Sequence, residues 1–472
     1  MMPRYVRSTR LPVPRSEAFA WHERPGAFER LTPPFMPTEV ESGAETIEEG
    51  AEAVLRLLPG AGPRSPRWRA RHVLHDPPRE FVDEQVSGPF AEWVHRHRFE
   101  EDGEDRSVLT DDVSYRLPAG TLGTVAAGEA VRRRLDRMFA YRHRVTVADL
   151  ADHASARARG VTPMKIAVTG SSGLIGEALV AFLRTGGHDV HRVVRRPPRH
   201  GEIGWRPDEG HIDAAALRPM DAVVHLAGEP IASGRWSEEQ KRRILESRTK
   251  GTRLLAEAMA GLDDGPRVLV SASGVNYYGS RGDERLTERS SPGDDFLADV
   301  CRQWEDATSP AADAGVRVVI VRTGIVQSPQ EGALARQLPF FRAGLGGRFG
   351  SGRQWVCWVS LEDVVGIYHH ALTTEALSGP VNATAPEPVT NAEYAKALGR
   401  VLGRPAIMPI PRLGPKMVFG KMVDPLLFSS LRVLPARTLE SGYVFRHPTL
   451  EGALRHVLGR PTDTQLERTP TP

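Results

Sequence analysis

The stretch that most restricts what this chain can fold into begins at Lys165. Lys165 to Thr169 is a short apolar run ending at Gly170, and Leu174 to Leu183 continues with Leu174, Ala178 and Phe182 at helical spacing. Gly170, Gly173 and Gly176 therefore fall on a strand-to-helix turn, in the order T-G-x-x-G-x-x-G. Absent side chains let such a backbone approach a pyrophosphate, whose charge the following helix N-terminus stabilises. Ser171, Ser172, Leu174 and Ile175 complete the turn as candidate cofactor-binding residues. A glycine turn in an α/β domain with no nucleotide is the plainer alternative. Further apolar runs at Val190 to Val194, Ala222 to Leu226, Arg267 to Ser271 and Val316 to Val321 alternate with helical stretches, which predicts a parallel sheet. Leu226, Ala227 and Gly228, in "HLAGEPI", are further candidates for the cofactor.

The chain has 472 residues, more than one hydrophobic core usually serves, so two or three domains are expected. Its 62 Lys plus Arg against 59 Asp plus Glu leave a net charge of +3, which gives no general field for nucleic acid or a membrane surface. Cys301 and Cys357 make no disulfide framework, and a reducing compartment is the expectation. With no apolar run of signal-peptide or bilayer-spanning length, the expected protein is cytoplasmic. A small-molecule partner, with neither nucleic acid nor integral membrane association, fits this composition, and a homo-oligomer is compatible with it.

Six separated motifs, "TGSSGLIG", "VVHLAGEPI", "SASGVNYYG", "RTGIV", "GSGRQWVCWVSLEDVV" and "LPARTLESGYVFRHPTLEGAL", together resemble an extended short-chain dehydrogenase/reductase. More narrowly, they are similar to the atypical NAD-dependent epimerase/dehydratase branch with a small C-terminal domain of unknown function. The resemblance implies a Rossmann-type, doubly wound parallel sheet over 164–400 and a small helical C-terminal substrate or lid region over 401–459; the polar, proline-bearing composition of 460–472 reads as a disordered tail. The second strand of such folds ends at the adenosine ribose, where an acidic residue suits NAD. Here stand Arg195 and Arg196, which pair with a 2′-phosphate, so NADP is expected, with NAD as the alternative. A solvated basic loop is the bland reading of the same arginines.

Members of the wider superfamily use a serine and a Tyr-x-x-x-Lys pair to move the proton while the cofactor moves the hydride. The resemblance makes Ser273 the serine. The next helix, "DDFLADVCRQWEDA", has neither partner: Phe296 or Leu297 falls near the tyrosine place, Val300 or Cys301 near the lysine place. Tyr277 or Tyr278 is the substitute proton donor, or else an aromatic wall of the pocket. Arg248 stands where relatives with ordinary catalysis tend to have Asn. The glycine-rich stretch 342–364 supplies Arg353, Gln354 and Trp355 as candidate substrate residues, against the alternative of a long connection whose tryptophans fill the core. No metal site is expected.

Residues 1–155 have another texture. In "VLTDDVSYRL" Leu109, Val113, Tyr115 and Leu117 face one side and Thr110, Asp112, Ser114 and Arg116 the other, as in a half-buried antiparallel strand. Weaker runs occur at Tyr5 to Leu11, Val54 to Leu58, Trp68 to Leu74, Glu80 to Val86 and Trp93 to Phe99, and a helix from Thr124 to about Val145 carries an apolar stripe of Val131, Leu135, Met138 and Phe139. One strand, two short helices, six strands and a long helix resemble the α+β helix-grip fold of START and polyketide-cyclase proteins, which implies a cup for an apolar ligand or a filled structural domain. No catalytic cluster stands out in this part. The expected protein is an NADP-dependent oxidoreductase or epimerase acting on a small, apolar molecule held by the first domain. The alternative is an NADPH-sensing binding protein without turnover.

Overall fold

The computed structural model describes residues 3–43, 46–57, 65–118, 120–231, 236–411 and 428–461. Leu58 and the tail from residue 462 lie outside the described residues. The chain divides into two compact units, Met1–Thr162 with Ala181–Gly187 and Arg455–Pro472, and Pro163–Val180 with His188–Leu454. No helix among the described residues is long and apolar enough to cross a membrane.

The first unit runs β1 (Arg4–Leu11), α1 (Arg15–Glu23), α2 (Ala27–Leu31), β2 (Thr38–Ser42), β3 (Glu52–Leu57), β4 (Arg67–Asp76), β5 (Glu80–Ser87), β6 (Glu92–Glu101), β7 (Ser107–Arg116) and α3 (Gly120–Ala158). This is the helix-grip order expected from the sequence. The antiparallel sheet has strand order β1-β7-β6-β5-β4-β3-β2. Alternation decides its inner face: Trp93, His95, His97 and Phe99 of β6, and Leu109, Asp111, Val113 and Tyr115 of β7, are all buried. Helix α3 packs Leu135 and Phe139 against Tyr5, Trp93, Val113 and Tyr115. It runs past Val145 because its apolar face continues: Leu150 packs with Phe19, Trp21 and Phe81. Arg30 donates to both carboxylate oxygens of Asp149, at 2.7 and 2.9 Å, in a buried pair that ties α2 to α3.

The second unit contains β8 (Lys165–Thr169), α4 (Leu174–Thr185), β9 (Asp189–Val194), β10 (Ile203–Arg206), β11 (His211–Ile212), α5 (Ala214–Leu217), β12 (Ala222–His225), α6 (Glu238–Ala260), β13 (Val268–Gly274), β14 (Arg285–Leu286), α7 (Phe296–Asp306), α8 (Ser309–Asp313) and β15 (Arg317–Thr323). Then come β16 (Ile325–Gln327), α9 (Gly332–Arg342), β17 (Trp355–Val356), β18 (Trp358–Ser360), α10 (Leu361–Thr373), β19 (Gly379–Ala383), β20 (Val389–Thr390) and α11 (Asn391–Leu402). Short helices at Ala436–Glu440 and Leu450–Val457 follow. The main sheet has the order β11-β10-β9-β8-β12-β13-β15-β19 and is parallel from β10 to β19. Its strands are apolar on both faces: Ile166, Ala167, Val168, Ala222, Val223 and Val224 are wholly buried. The chain winds outward from β8 in one direction and returns to β12 on its other side, so the strand order reverses between these two strands. In open α/β sheets that crevice is where ligands bind.

Candidate dinucleotide site and the polar row beside it

The glycine turn stands at the reversal point. Gly170 has φ +63, and a Cβ there would lie 2.7 Å from the Leu226 carbonyl carbon, so only glycine lets the loop after β8 meet the loop after β12. A Cβ on Gly176 would lie 2.2 Å from the Gly170 carbonyl oxygen, which fixes the close approach of α4 to the strand. At Gly173 a Cβ would meet nothing nearer than the Gly170 oxygen at 3.5 Å. The first and third glycines are thus required by the protein's own packing, and the second leaves a cradle at the start of α4. The loop is fastened from below. Arg192 of β9 donates to the Ser171 carbonyl at 2.6 Å, and the Thr169 hydroxyl accepts from the amides of Leu226 and Ala227 at 3.1 and 3.3 Å. His225 bridges the hydroxyls of Thr169 and Thr252 at 2.8 and 2.9 Å. Burial, with the charge of Arg248 adding to it, pushes the His225 pKa down to about 4, so the ring is neutral.

Arg248 is buried with its guanidinium 4.9 Å from the Trp304 ring, and it donates to the carbonyls of Glu229 and Ile244. Its Nε has no hydrogen-bond partner among the described residues, and a Cβ on Gly228 would lie 3.2 Å from its Cζ. A buried cation with an unused donor, next to an open glycine cradle at a helix start, fits a phosphate-bearing cofactor. Gly170 to Gly176 and Leu226 to Gly228 are the residues that would hold it. Arg195 and Arg196 follow β9 directly, both exposed. Arg196 is held by Glu202 through two bonds of 2.7 and 2.6 Å, whereas Arg195 has no ion pair among the described residues. The Arg196 bonds hold the Glu202 carboxyl down, to about 2.

The next strand ends carry a connected row of polar side chains. Strand register sets Ser273 of β13 beside Arg322 of β15, and Arg322 beside Asn382 of β19. The Ser273 hydroxyl donates to Glu305 Oε1 at 2.6 Å, and Arg322 grips the same carboxylate through Nε and Nη2 at 2.8 and 2.7 Å. Arg322 Nη1 donates to the Tyr278 hydroxyl at 3.0 Å, which in turn donates to Asn382 Oδ1 at 2.7 Å. Burial pushes the Tyr278 pKa up to about 12. Tyr277 is half-buried, with the Arg322 guanidinium 3.4 Å from its ring centre. Leu297, Val300 and Cys301 are buried on α7, and burial raises the Cys301 thiol to about 12, so it is not a thiolate at neutral pH. Sequence reasoning missed Glu305 and Arg322. The readable signal is Glu305 one turn after Cys301, on the apolar face of α7, opposite an arginine inside an otherwise apolar strand.

On the expected substrate side, Arg353 is exposed. Gln354 donates to the Phe349 carbonyl at 3.1 Å, and Trp355 donates to Asp283 at 2.7 Å with the Arg432 guanidinium 4.2 Å from its ring. Trp358 is a core residue whose indole donates to the Glu387 carbonyl.

The first unit also departs from expectation. It contains a cavity of about 480 Å³ lined by apolar side chains such as Leu55, Trp68, Phe90 and Met138, with His72, Asp83, His95 and His97 at one wall. The polar cluster that the sequence reading did not find is therefore here. It was hidden in the alternation of "VHRHRF", where His95 and His97 point inward between outward arginines, and in Asp111, an inward position of an apolar strand face. Asp111 Oδ1 lies 2.9 Å from His95 Nε2 and 2.7 Å from His97 Nδ1, and its Oδ2 lies 2.6 Å from His143 Nε2. Burial opposes the charge on Asp111, yet the three imidazoles hold its pKa well below the usual carboxylate range.

Three family models match the chain: polyketide cyclase/dehydrase and lipid transport over residues 11–143, the NAD dependent epimerase/dehydratase family over 166–383, and a domain of unknown function over 410–457. An epimerase family protein of Mycobacterium tuberculosis, MT2273, is 45% identical over 297 residues, which are 63% of this chain and 98% of that protein. The crystal structure of a nucleoside-diphosphate sugar epimerase from Corynebacterium glutamicum aligns with TM-score 0.79 and 36% identity, covering 96% of this chain and 90% of that one. The structure of human SDR39U1 with NADPH aligns with TM-score 0.59 and 38% identity, over 62% of this chain and 99% of that one. With its glycine turn at the strand reversal and relatives of this closeness, the chain belongs to the NAD dependent epimerase/dehydratase family, among SDR39U1-type atypical short-chain dehydrogenase/reductases, and joins that domain to a polyketide-cyclase-like helix-grip domain.

Proposed function

We propose that the second unit is an NADP-dependent oxidoreductase or epimerase acting on a small molecule, with Ser273 and Tyr277 at its reacting centre. The observation that carries this reading is the Ser273–Glu305–Arg322 chain, in which Glu305 of α7 joins the ends of β13 and β15, the strands next in order after the two whose loops build the cofactor cradle. When bound, the nicotinamide dinucleotide supplies hydride acceptance and donation. Ser171 and Ser172 line the cradle with the glycines, Leu174 and Ile175 open the helix, and Arg195 takes the 2′-phosphate. Glu305 accepts a hydrogen bond from the Ser273 hydroxyl, which orients the serine oxygen toward the reacting group of the substrate. Arg322 fixes Glu305 and sets its charge on the Tyr277 ring, whose phenol is the proton donor in place of the missing Tyr-x-x-x-Lys. Arg353, with Gln354 and Trp355 held behind it, is the substrate-side cation. The apolar cavity of the first unit binds the hydrophobic molecule on which the chain acts, in keeping with the family description of that domain.

A second reading, nucleotide binding without turnover, is favoured by one observation: the Tyr278 hydroxyl is buried and committed to Arg322 and Asn382, so one of two phenols is withdrawn from proton transfer. Incubation with NADPH deuterated at C4, followed by mass spectrometry of small molecules extracted from the purified chain, decides between the two. Reduction transfers one deuteride to an extracted molecule, and Ser273→Ala and Glu305→Gln each slow that transfer, or the epimerisation seen with NADP+, by about a hundredfold or more. Saturable NADPH binding with no label from NADPH, and no change in any extracted molecule on incubation with NADP+, establishes the second reading instead.

A further inference from the structure

The first unit holds a histidine–aspartate centre that the dinucleotide chemistry does not use. Strand pairing sets Asp83 of β5 opposite His95 of β6, and His97 opposite Asp111 of β7, all on the inner face of the sheet. Each imidazole has one nitrogen toward Asp111 and the other toward Asp83. Asp83 Oδ2 lies 3.3 Å from His95 Nδ1 and 3.6 Å from His97 Nε2, and the three ligand atoms lie within 4.8 Å of one another.

We propose that Asp83 Oδ2, His95 Nδ1 and His97 Nε2 bind one divalent transition-metal ion at the wall of the apolar cavity. The separations are the first reason. Two ligands sharing an ion at about 2.0–2.1 Å in tetrahedral geometry stand roughly 3.4 Å apart, close to both measured values, whereas 3.6 Å is too long for a hydrogen bond to Asp83. The second reason is the orientation of the rings. Metal-ligating histidines fix their tautomer by donating the other ring N–H to a carboxylate, and Asp111 takes that bond from both rings at once, itself braced by His143. Phe81, stacked 4.1 Å from the His97 ring at an interplanar angle of 18°, holds the imidazole in place. Third, a dication bound to Asp83 and the two imidazoles offsets the charge of Asp83 directly and that of Asp111 through the rings it braces. Three protein ligands on one side leave the cavity side for water or for an oxygen of the bound molecule. Two imidazoles and one carboxylate, with no sulfur, suit Zn²⁺ and the first-row dications near it rather than Ca²⁺ or Mg²⁺. Both cysteines, Cys301 and Cys357, belong to the second unit.

The test uses the full chain, stripped with a chelator and titrated with ZnCl2 by calorimetry, and with CoCl2 by visible absorption. One equivalent should bind per chain with submicromolar affinity. Asp83→Asn and His97→Gln should each weaken binding by about a hundredfold or more, and Asp111→Asn, which touches no ion, by about tenfold to a hundredfold. His211→Gln, at an exposed histidine, should leave it unchanged. If the ligand variants fail to fold, zinc K-edge absorption on the unmutated chain answers the same question, with two imidazoles and no sulfur expected in the shell. Failure to bind an equivalent at tens of micromolar zinc, retention of binding in His97→Gln, or sulfur in the shell would overturn the site. None of these readouts depends on NADPH binding or turnover.

Discussion

Arg195 and Arg196 are neighbours in sequence, but only one is free to meet a ligand. Glu202 already takes both terminal nitrogens of Arg196, whereas Arg195 has no such partner among the described residues. Charge-assisted hydrogen bonds contribute about 1.5–3 kcal/mol each. Arg195→Ala is therefore expected to weaken NADPH about tenfold to a hundredfold, to leave NADH nearly unchanged, and to exceed the effect of Arg196→Ala in a fluorescence titration. The two tyrosines divide in the same way. Tyr278→Phe leaves the buried Arg322 donor and Asn382 acceptor without the phenol, so it should cost about 1–3 kcal/mol of stability, read as a lower denaturation midpoint. Tyr277→Phe should leave the midpoint near its original value and slow deuteride transfer instead. At this scale the sequence was legible where backbone geometry demands a residue type, as at Gly170 and Gly176. Ser273 was reached through motif resemblance. Glu305, Arg322 and Asp111 were not legible, because a charged residue on an apolar face has meaning only through partners on other strands and helices.

At the scale of elements, the ends of β8 and β12 depend on a neutral histidine. His225 has its pKa lowered from 6.5 to about 4, so between these values the unfolded chain binds more protons than the folded one. That contribution is whole above about pH 6.5 and is lost as the pH falls toward 4, at up to about 1.4 kcal/mol per pH unit. Urea unfolding of the wild type and His225→Gln should therefore converge as the pH drops from 7 to 4.5. In the first unit, Asp149→Ala leaves Arg30 charged and buried, and a loss of about 3–5 kcal/mol is expected in the same assay. Element order was readable because apolar alternation and helical spacing are local. The strand β2 (Thr38–Ser42) was not located, since "TEVES" presents a mostly exposed surface with no apolar face to mark it. The end of α3 lies beyond about Val145, at Ala158: the polar, small-residue stretch after Leu150 reads equally as linker or as helix, and the packing of Val147, Leu150 and Ala154 makes it helix.

Across the whole molecule, the two units present two chemically different surfaces to a ligand: an apolar cavity with a histidine–aspartate wall in the first, and a glycine cradle at a helix start in the second. Filling the cavity with Ala70→Trp should weaken a fluorescent apolar probe such as anilinonaphthalene sulfonate by about tenfold or more, while NADPH affinity stays the same. The central claim is the cradle and its preference for a 2′-phosphate, and calorimetric titration of the unmutated full chain with NADPH and NADH tests it most directly. One equivalent of NADPH per chain, bound about tenfold to a hundredfold more tightly than NADH, is the predicted result. Equal affinity for the two nucleotides would contradict the role of Arg195, and no saturable binding of either would contradict the cradle itself.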